Sequence, residues 1–371
     1  MPSDCNIVEF EHWTLTMEEK KIDFLIIGAG LAGTTLSLEL LKRRKTVAMI
    51  DAPKPNSSSR VAAGIINPVV PKGITTTWKI EEMFPQVFEY YQHWESIFGE
   101  SFIQRWDFIT LHKNQEEFKQ WEKRYTHPTV ESWIESVDVP AWLPEEFNFG
   151  ASNTICAGRL QVNHFLELAK NYLINQGVTW ILDEVDNIND FNSSHFENKL
   201  LSQFKYNSIV FCQGAYGTEN PLFPNLFFDP TEGDILTLKI MGLPQQTMIK
   251  RGLWLVPLSE DIWLAGSNFI KAGNASISET EAVQALLNQL TAWIPFDIEL
   301  INHKRGKRPT VQNRRPYLGR SPLPDKSNCY IYNGLGSKGS SLCSWLSPMM
   351  ADFLTADKPL DPEVDIQRFY L

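Results

Sequence analysis

The stretch Ile22-Asp-Phe-Leu-Ile-Ile-Gly-Ala-Gly-Leu-Ala-Gly33 decides the fold of this chain. Its apolar first half is typical of a buried parallel strand. Gly28 allows a sharp turn, Gly30 lets the backbone approach a pyrophosphate, and Gly33 lets a following helix pack close to the strand. These features predict the first turn of a dinucleotide-binding unit.

The residues that follow complete the pattern. A helix beginning near Leu31 would direct its N-terminal N–H groups at the pyrophosphate. The second predicted strand, Thr46–Ile50, leads into Asp51, 18 residues after Gly33, where a carboxylate can accept hydrogen bonds from ribose hydroxyls. An isolated GxGxxG is weak evidence, but here all of its expected context is present. The cofactor-binding candidates in this part of the chain are Gly28, Ala29, Gly30, Leu31, Ala32, Gly33, Asp51 and Ala52.

Composition restricts the class of protein. The chain has 371 residues, of which 43% are hydrophobic and 21% are charged, and this is ordinary for a globular protein of more than one domain. Its net charge of −10 opposes binding to bulk nucleic acid, because neutralising phosphates requires a basic surface. No stretch is apolar enough for a membrane span. We therefore expect a small-molecule substrate and no membrane span, and the oligomeric state stays open.

The cysteines and the N-terminus indicate a cytoplasmic location. The five cysteines are odd in number, widely spaced and without a CxxC pair, which is typical neither of a disulfide framework nor of a metal site. We therefore expect reduced thiols and no metal. The acidic residues among positions 1–20 are unlike the basic start of a signal peptide.

Patterning along the chain predicts the order of the elements. Helices are predicted at Thr77–Phe98, Glu116–Tyr125, Arg159–Gln176, Glu279–Trp293 and from Gly339 to Leu354. Strands are predicted at Arg105–His112, Val178–Leu182, Asn207–Gly214, Gly233–Lys239, Gly252–Val256, Asp261–Ala265 and Cys329–Tyr332. Residues 1–20 are predicted to form an acidic extension with a strand and a helical turn.

This order predicts an α/β protein, α+β overall, in which a Rossmann-type domain is interrupted twice by a second, antiparallel-sheet domain. The nucleotide domain is assigned residues 20–78, 156–225 and 304–371. The substrate domain is assigned residues 79–155 and 226–303, and residues 1–19 form the N-terminal extension.

Four further segments sharpen this interpretation. They are Ser57–Asn67, Glu184–Asp186, Cys212–Tyr216 and Arg305–Gly319. The first contains the run Arg-Val-Ala-Ala-Gly, and the last contains Arg-Pro and Arg-Arg-Pro. A second glycine loop, Gly334-Leu-Gly-Ser-Lys-Gly339, follows the last strand. Together with the first glycine turn, these segments resemble the D-amino-acid oxidase and glycine/sarcosine oxidase superfamily, over residues 22 to about 356.

The resemblance implies FAD as the cofactor. It implies that the Ser59–Asn67 loop covers the phosphates and passes near the isoalloxazine, that the backbone at Val185 faces the adenine, and that the second glycine loop brings N–H groups to the flavin's pyrimidine edge. Such dipoles would stabilise a reduced, anionic flavin. The further cofactor-binding candidates are Arg60, Val61, Ala62, Ala63, Gly64, Val185, Gln213, Gly214, Arg308, Gly334, Leu335, Gly336, Ser337, Lys338, Gly339 and Ser340.

Lys338 is the candidate substrate residue. The resemblance to sarcosine oxidase-like members implies that a lysine at this point of the loop binds the substrate carboxylate, although a loop lysine is more often simply solvated. Lys250, Arg251 and Trp254 are plausible pocket residues of the second domain, but ordinary strand positions explain them as well. No catalytic base is assigned.

The sequence also departs from the family pattern. Leu335 stands where oxidase members often have a histidine, and residues 305–319 contain no cysteine, so the FAD is expected to be non-covalent. The lysine that activates oxygen in sarcosine oxidase-type enzymes would align near Leu264, where no lysine stands. Use of O2 as electron acceptor is therefore in doubt.

The resulting hypothesis is an FAD-dependent oxidoreductase that oxidises a C–N bond of an amino acid or secondary amine by hydride transfer to flavin. Three alternatives stay open. The second glycine loop is also similar to that of the flavin domain of the tRNA wobble-uridine-modifying enzyme. A dehydrogenase with a quinone or protein acceptor, or a flavin-binding protein without catalysis, would also fit the motifs.

Overall fold

A computed structural model describes residues 20–71, 73–185, 204–271 and 278–370. The α-helices of this part of the chain are α1 (Leu31–Lys42), α2 (Ser58–Val61), α3 (Ile80–Phe98), α4 (Gln115–Glu122), α5 (Val162–Asn175), α6 (Glu279–Thr291) and α7 (Gly339–Ala356). The predicted N-terminal extension, residues 1–19, lies outside the described residues.

The strands form two principal sheets and two small ones. They are β1 (Lys20–Ile27), β2 (Val47–Asp51), β3 (Ile65–Ile66), β4 (Val69–Val70), β5 (Thr75–Thr76), β6 (Ile103–Arg105), β7 (Phe108–Leu111), β8 (Ile134–Val137), β9 (Ala151–Thr154), β10 (Gly158–Leu160), β11 (Thr179–Leu182), β12 (Phe204–Phe211), β13 (Thr231–Ile240), β14 (Met248–Arg251), β15 (Leu253–Ser259), β16 (Ile262–Gly266), β17 (Ile270–Lys271), β18 (Ile298–Arg308), β19 (Tyr317–Arg320) and β20 (Cys329–Asn333).

The first sheet has the strand order β11-β2-β1-β12-β20-β19. Its first five strands are parallel, and β19 runs antiparallel to β20. Ile27 lies opposite Ile50 on one side and Phe211 on the other, so the carboxyl ends of three central strands meet at one edge. Ligands bind at this edge in open α/β sheets. The predicted Rossmann-type sheet is confirmed.

The second sheet has nine strands and begins β17-β13-β16-β15-β14-β7-β9-β8, with β18 pairing along β13. Its pairs are antiparallel except β14 with β7. Leu286 and Leu290 of α6 share an apolar cluster with Leu236 of β13 and Trp263 of β16. A small sheet has the strand order β3-β10-β6. Strand β3 belongs to the Ser57–Asn67 segment and β6 to the predicted second domain, so this sheet joins the two.

Two predicted elements differ from the structure. The strand predicted at 105–112 is divided into β6 and β7, which belong to different sheets, because the chain turns at Trp106, whose N–H bonds to the Ala157 carbonyl (3.2 Å). The helix predicted at 159–176 begins only at Val162, and Arg159 lies in β10. The spacing of apolar residues shows which face of a helix or strand is buried, but it does not show which strand pairs with it.

The packing also bears on the proposed domain boundaries. Helix α3, assigned to the second domain from sequence, shares a core cluster with α1, α5 and α7. Strand β18, which the sequence did not predict, stays in the second sheet as far as Arg308. We therefore propose that α3 belongs to the nucleotide domain and that the last crossing between domains follows Arg308.

Candidate functional site

The first glycine turn lies at the carboxyl edge of β1, between β2 and β12. Gly28 has φ of 98°, and its N–H donates to the Ile50 carbonyl (2.7 Å). A Cβ at Gly28 would lie 2.6 Å from the Cys212 carbonyl oxygen, and a Cβ at Gly33 would overlap the carbonyl oxygen of Gly28. Only glycine fits this turn, which brings the start of α1 close to the sheet.

The backbone donors of the turn face two polar side chains. The Ala29 N–H donates to Asp51 Oδ1 (2.9 Å), and the Leu31 N–H donates to Ser59 Oγ (3.1 Å). Arg60 Nη2 lies 3.5 Å from Asp51 Oδ2. The predicted ribose-binding carboxylate, the N-terminus of α1 and the loop beginning at Ser57 therefore lie together. This arrangement suits a pyrophosphate and its neighbouring ribose.

Gln213 supplies an independent indication of a polar ligand. It follows β12, and its Cα lies 3.4 Å from the position of a Cβ on Gly28. Its Oε1 atom is buried and has no hydrogen-bond partner among the described residues. A buried acceptor without a partner is unfavourable, so a bound group that donates a hydrogen bond would stabilise it. The glycine turn and this acceptor together fit a dinucleotide such as FAD.

The second glycine loop meets the first. It connects β20 to α7, and Gly334 and Gly336 have positive φ values of 80° and 57°. A Cβ on Gly339 would lie 3.2 Å from Leu31 Cδ1 at the start of α1. The fold thus brings together two loops about 300 residues apart in sequence. A ligand held by the first loop would extend toward the second.

Lys338 is a partly buried cation at the start of α7. Its Nζ donates to Thr77 Oγ1, which in turn donates to the Asn67 carbonyl (3.2 Å). Burial, with a smaller contribution from Arg314, lowers the pKa of Lys338 to about 8. Among the described residues, no carboxylate forms an ion pair with this ammonium group. A partly desolvated charge without a counterion is unfavourable, so the site favours an anionic ligand.

Arg308 lies beside the same loop, at the end of β18. The Gly336 N–H donates to the carbonyl of Pro309, the next residue (3.2 Å). The Arg308 guanidinium donates to the Glu232 carbonyl (3.0 Å) and to Ser267 Oγ (2.9 Å), both neutral acceptors. Burial lowers its pKa. The structure thus directs this predicted cofactor residue toward the second sheet.

A buried carboxylate that the sequence analysis missed supports the Arg308 site. Asp234 is fully buried and bonds to His303, to Arg305 and to Asn268 (2.6 Å to Asn268 Nδ2). Burial raises its pKa, but these hydrogen bonds more than offset that effect, so the pKa is lowered. Asn268 and its neighbour Ser267 contact Arg308. A lone Asp in an alternating strand gives no sequence signal for such a network.

The candidate residues of β14 and β15 do not form one site. Arg251 donates to the carbonyls of His112 and Lys113 and stacks on Phe147, so its role is structural. Trp254 lies in an apolar cluster that includes Val256 and Leu264. Lys250 is partly buried on β14, where desolvation lowers its pKa.

The structure also describes the cysteines, the groups of possible metal ligands and the length and polarity of the helices. The described cysteines, 156, 212, 329 and 343, are free, and Cys5 lies outside the described residues. In the described ranges, no group of three or more His, Cys, Asp and Glu residues could hold a metal ion. None of the helices seen in these ranges is long and apolar enough to cross a bilayer.

A family model and several solved structures of oxidases are similar to this chain. A family model for FAD-dependent oxidoreductases, designated DAO, matches residues 23–353. Glycine oxidase from Geobacillus kaustophilus is 20% identical with a TM-score of 0.76, covering 94% of this chain and 98% of its own. Iminodiacetate oxidase from Chelativorans sp. is 18% identical with a TM-score of 0.72, and the match covers 93% of this chain and 98% of the oxidase. L-α-glycerophosphate oxidase from Mycoplasma pneumoniae, with FAD bound, is 14% identical with a TM-score of 0.69, covering 92% and 97%. At these identities the likeness shows a shared fold.

Proposed function

This chain belongs to the DAO family of FAD-dependent oxidoreductases, and we propose from that premise that it oxidises the C–N bond of a carboxylate-bearing amine. The substrate would be an amino acid or an N-alkyl glycine. Glycine oxidase and iminodiacetate oxidase, two structures with this fold, are named for substrates of this chemical class. The glycerophosphate oxidase shows that the fold also serves another donor, so the site residues must support the choice.

The observation that carries the proposal is the pair of partly buried cations beside the second glycine loop. Lys338 and Arg308 bond only to neutral acceptors among the described residues. The hydrogen bond from Gly336 N–H to the Pro309 carbonyl joins the segments that hold them. A carboxylate between them would form the direct ion pairs that these two cations lack among the described residues. We infer that Arg308 serves the substrate rather than the cofactor.

The cofactor proposal rests on the first turn. The N-terminus of α1 would bind the pyrophosphate, Asp51 would bind the ribose, and the Gly334–Ser340 loop would approach the flavin ring. When bound, FAD supplies the two-electron acceptor for the carbon next to nitrogen. The chain's own contribution would be to fix the carboxylate and so place that carbon, with the amine neutral. The imine product takes up water and separates into a carbonyl compound and an amine.

We also propose that FAD is held without a covalent bond, because Leu335 replaces the usual loop histidine and residues 305–319 contain no cysteine. Denaturation with acid should then release intact FAD into the supernatant. Flavin that remained with the precipitate would contradict this attachment.

The proposed function is tested by anaerobic reduction of the bound flavin. Glycine, N-methylglycine, D- and L-alanine and glycerol 3-phosphate are mixed separately with the protein, and flavin bleaching is followed by absorbance. We expect the carboxylate-bearing amines to bleach the flavin. Bleaching by glycerol 3-phosphate alone, or by none of the amines, would contradict the proposal. Admitting air afterwards tests whether O2 is an acceptor.

The pKa of Lys338 predicts how anion binding depends on pH. Burial lowers this pKa from 10.5 to about 8, so the ammonium is charged below that pH and loses its charge above it. Methylthioacetate resembles N-methylglycine but has no titrating amine. Its Kd, measured from the perturbed flavin spectrum, should be constant below pH 8 and weaken above it. Arg308 stays charged, so some affinity should persist. A Kd that is flat through this range would contradict the role of Lys338.

A further inference from the structure

Arg159 is a second-domain contact that the sequence analysis did not anticipate. It lies in β10, between β3 and β6, and only 7% of its surface is exposed. Its Nε donates to the Ala63 carbonyl (3.2 Å) in the loop that follows α2. Its Nη1 donates to the Pro257 carbonyl (3.2 Å) in β15. The side chain therefore crosses from the nucleotide-binding loop to the second sheet.

The guanidinium group of Arg159 has more N–H donors than hydrogen-bond partners among the described residues. Of its five N–H donors, two bond to described residues, and both acceptors are neutral carbonyls. No carboxylate of the described residues offsets its charge, and burial alone lowers the pKa of Arg159 to about 10. At neutral pH it is a cation with only 7% of its surface exposed, and its other donors have no protein partner among the described residues. Such a group is unfavourable unless an anion pairs with it.

The position of the free donors favours a small ligand between the two domains. The Nη end of the side chain is the end that reaches β15. An apolar cluster beside it contains Ala157, two residues before Arg159, and Ile65, which pairs with Arg159 in the small sheet. Val256, Trp254 and Leu264 belong to the same cluster, in which Ile65, Trp254 and Leu264 are only partly buried. Apolar walls with a few polar groups are typical of sites for small molecules.

Arg159 is the third cation around one segment, residues 61–67, and of the three it is the one that is fully buried. Lys338 reaches that segment through Thr77, which donates to the Asn67 carbonyl. Gly306, two residues before Arg308 on β18, packs against Val61, since its Cβ would lie 3.0 Å from Val61 Cβ. Arg159 bonds to Ala63 directly. One carboxylate shared by Lys338 and Arg308 would leave Arg159 without a counterion.

We propose that Arg159 binds a second carboxylate of the substrate, so that the preferred substrate class is a secondary amine carrying two carboxylate arms. This inference rests on the proposed function, because it assigns the first carboxylate to Lys338 and Arg308. Arg159 is then the residue that determines specificity for dicarboxylic over monocarboxylic amines. The planar guanidinium suits this role because it can donate two parallel hydrogen bonds to one carboxylate.

The test compares iminodiacetate with N-methylglycine, which have the same secondary amine and differ in the second carboxylate. The wild-type protein should have a higher kcat/KM for iminodiacetate. In Arg159→Met the ratio of the two kcat/KM values should fall about tenfold to a hundredfold, the range expected for losing hydrogen bonds to a charged group. Any loss common to both substrates cancels in this ratio. Arg105→Met is the matched control, because Arg105 lies on the adjacent strand β6 and stacks on Phe88; its ratio should stay at the wild-type value.

A binding measurement keeps the inference testable if Arg159→Met folds poorly. Thiodiacetate and methylthioacetate carry the same arms but cannot be oxidised as amines, and each perturbs the flavin spectrum when it binds. Wild type should bind thiodiacetate more tightly, and Arg159→Lys, which keeps the charge, should retain part of that preference. Equal affinities in wild type would overturn the inference. If N-methylglycine and iminodiacetate reduce the flavin equally well, only the role of Arg159 fails; if neither does, the proposed function fails.

Discussion

Replacing Lys338 with methionine is expected to raise the KM for a carboxylate-bearing amine about tenfold to a hundredfold, the range for a lost hydrogen bond to a charged group. The substitution keeps the length of the side chain and removes its charge. Because Lys338 pairs with no carboxylate of the described residues, its loss leaves no protein anion unpaired. The substrate carboxylate, however, would be desolvated with Arg308 as its remaining partner. Steady-state kinetics with N-methylglycine measure the change.

Two controls separate anchoring from general damage. An uncharged N-methyl amine should be oxidised nearly as well by Lys338→Met as by wild type, and the FAD content should be unchanged. Lys358→Met is the matched variant, because Lys358 lies beyond the opposite end of α7 from Lys338 and pairs with Asp352 (2.6 Å). Its KM should not change. If Lys338→Met has the wild-type KM, or simply loses FAD, the carboxylate role of Lys338 is wrong.

The first βαβ unit was predictable because its signals are contiguous. The apolar run, three glycines and Asp51 each act on neighbours within one strand-turn-helix segment, and the structure confirms the strand, turn and helix. Glycine is needed at positions 28 and 33 because a Cβ atom there would collide with the neighbouring backbone. The contact between Ala29 N–H and Asp51 follows from the register of β1 and β2. Local sequence thus predicted this half of the candidate site.

The other half depended on contacts between distant segments. Nothing near Arg159 in sequence indicates that β10 crosses to Pro257, almost 100 residues later. The amphipathic pattern that begins there favours a helix, and the short strand is set by pairing with Ile65 and Gln104. Likewise, the side chain of Arg308 could not be assigned to cofactor or substrate before β18 was placed against β13. Tertiary pairing, which local patterns do not encode, decides such positions.

Replacing Gly33 with alanine is expected to lower the free energy of unfolding by about 3 kcal/mol, the upper part of the usual range for overpacking. The added Cβ would overlap the carbonyl oxygen of Gly28 and lie 3.2 Å from Ile26 Cγ2. A backbone oxygen cannot rotate away as a side chain can, so α1 must move from β1 or the turn must open. Either movement displaces the Ala29 and Leu31 N–H groups from the proposed pyrophosphate site. The purified variant should therefore also contain little FAD, as measured by absorbance after denaturation.

Gly177→Ala is the matched control for this substitution. Gly177 follows α5 with φ of 87°, and nothing lies within 4 Å of its would-be Cβ, so the change introduces backbone strain without a clash. Its expected effect is about 1 kcal/mol with normal FAD content. Chemical denaturation of both variants, each with and without added FAD, separates the two effects. If Gly33→Ala retained wild-type FAD affinity, the close approach of α1 to the sheet would not be needed for binding, and the pyrophosphate would have to lie elsewhere.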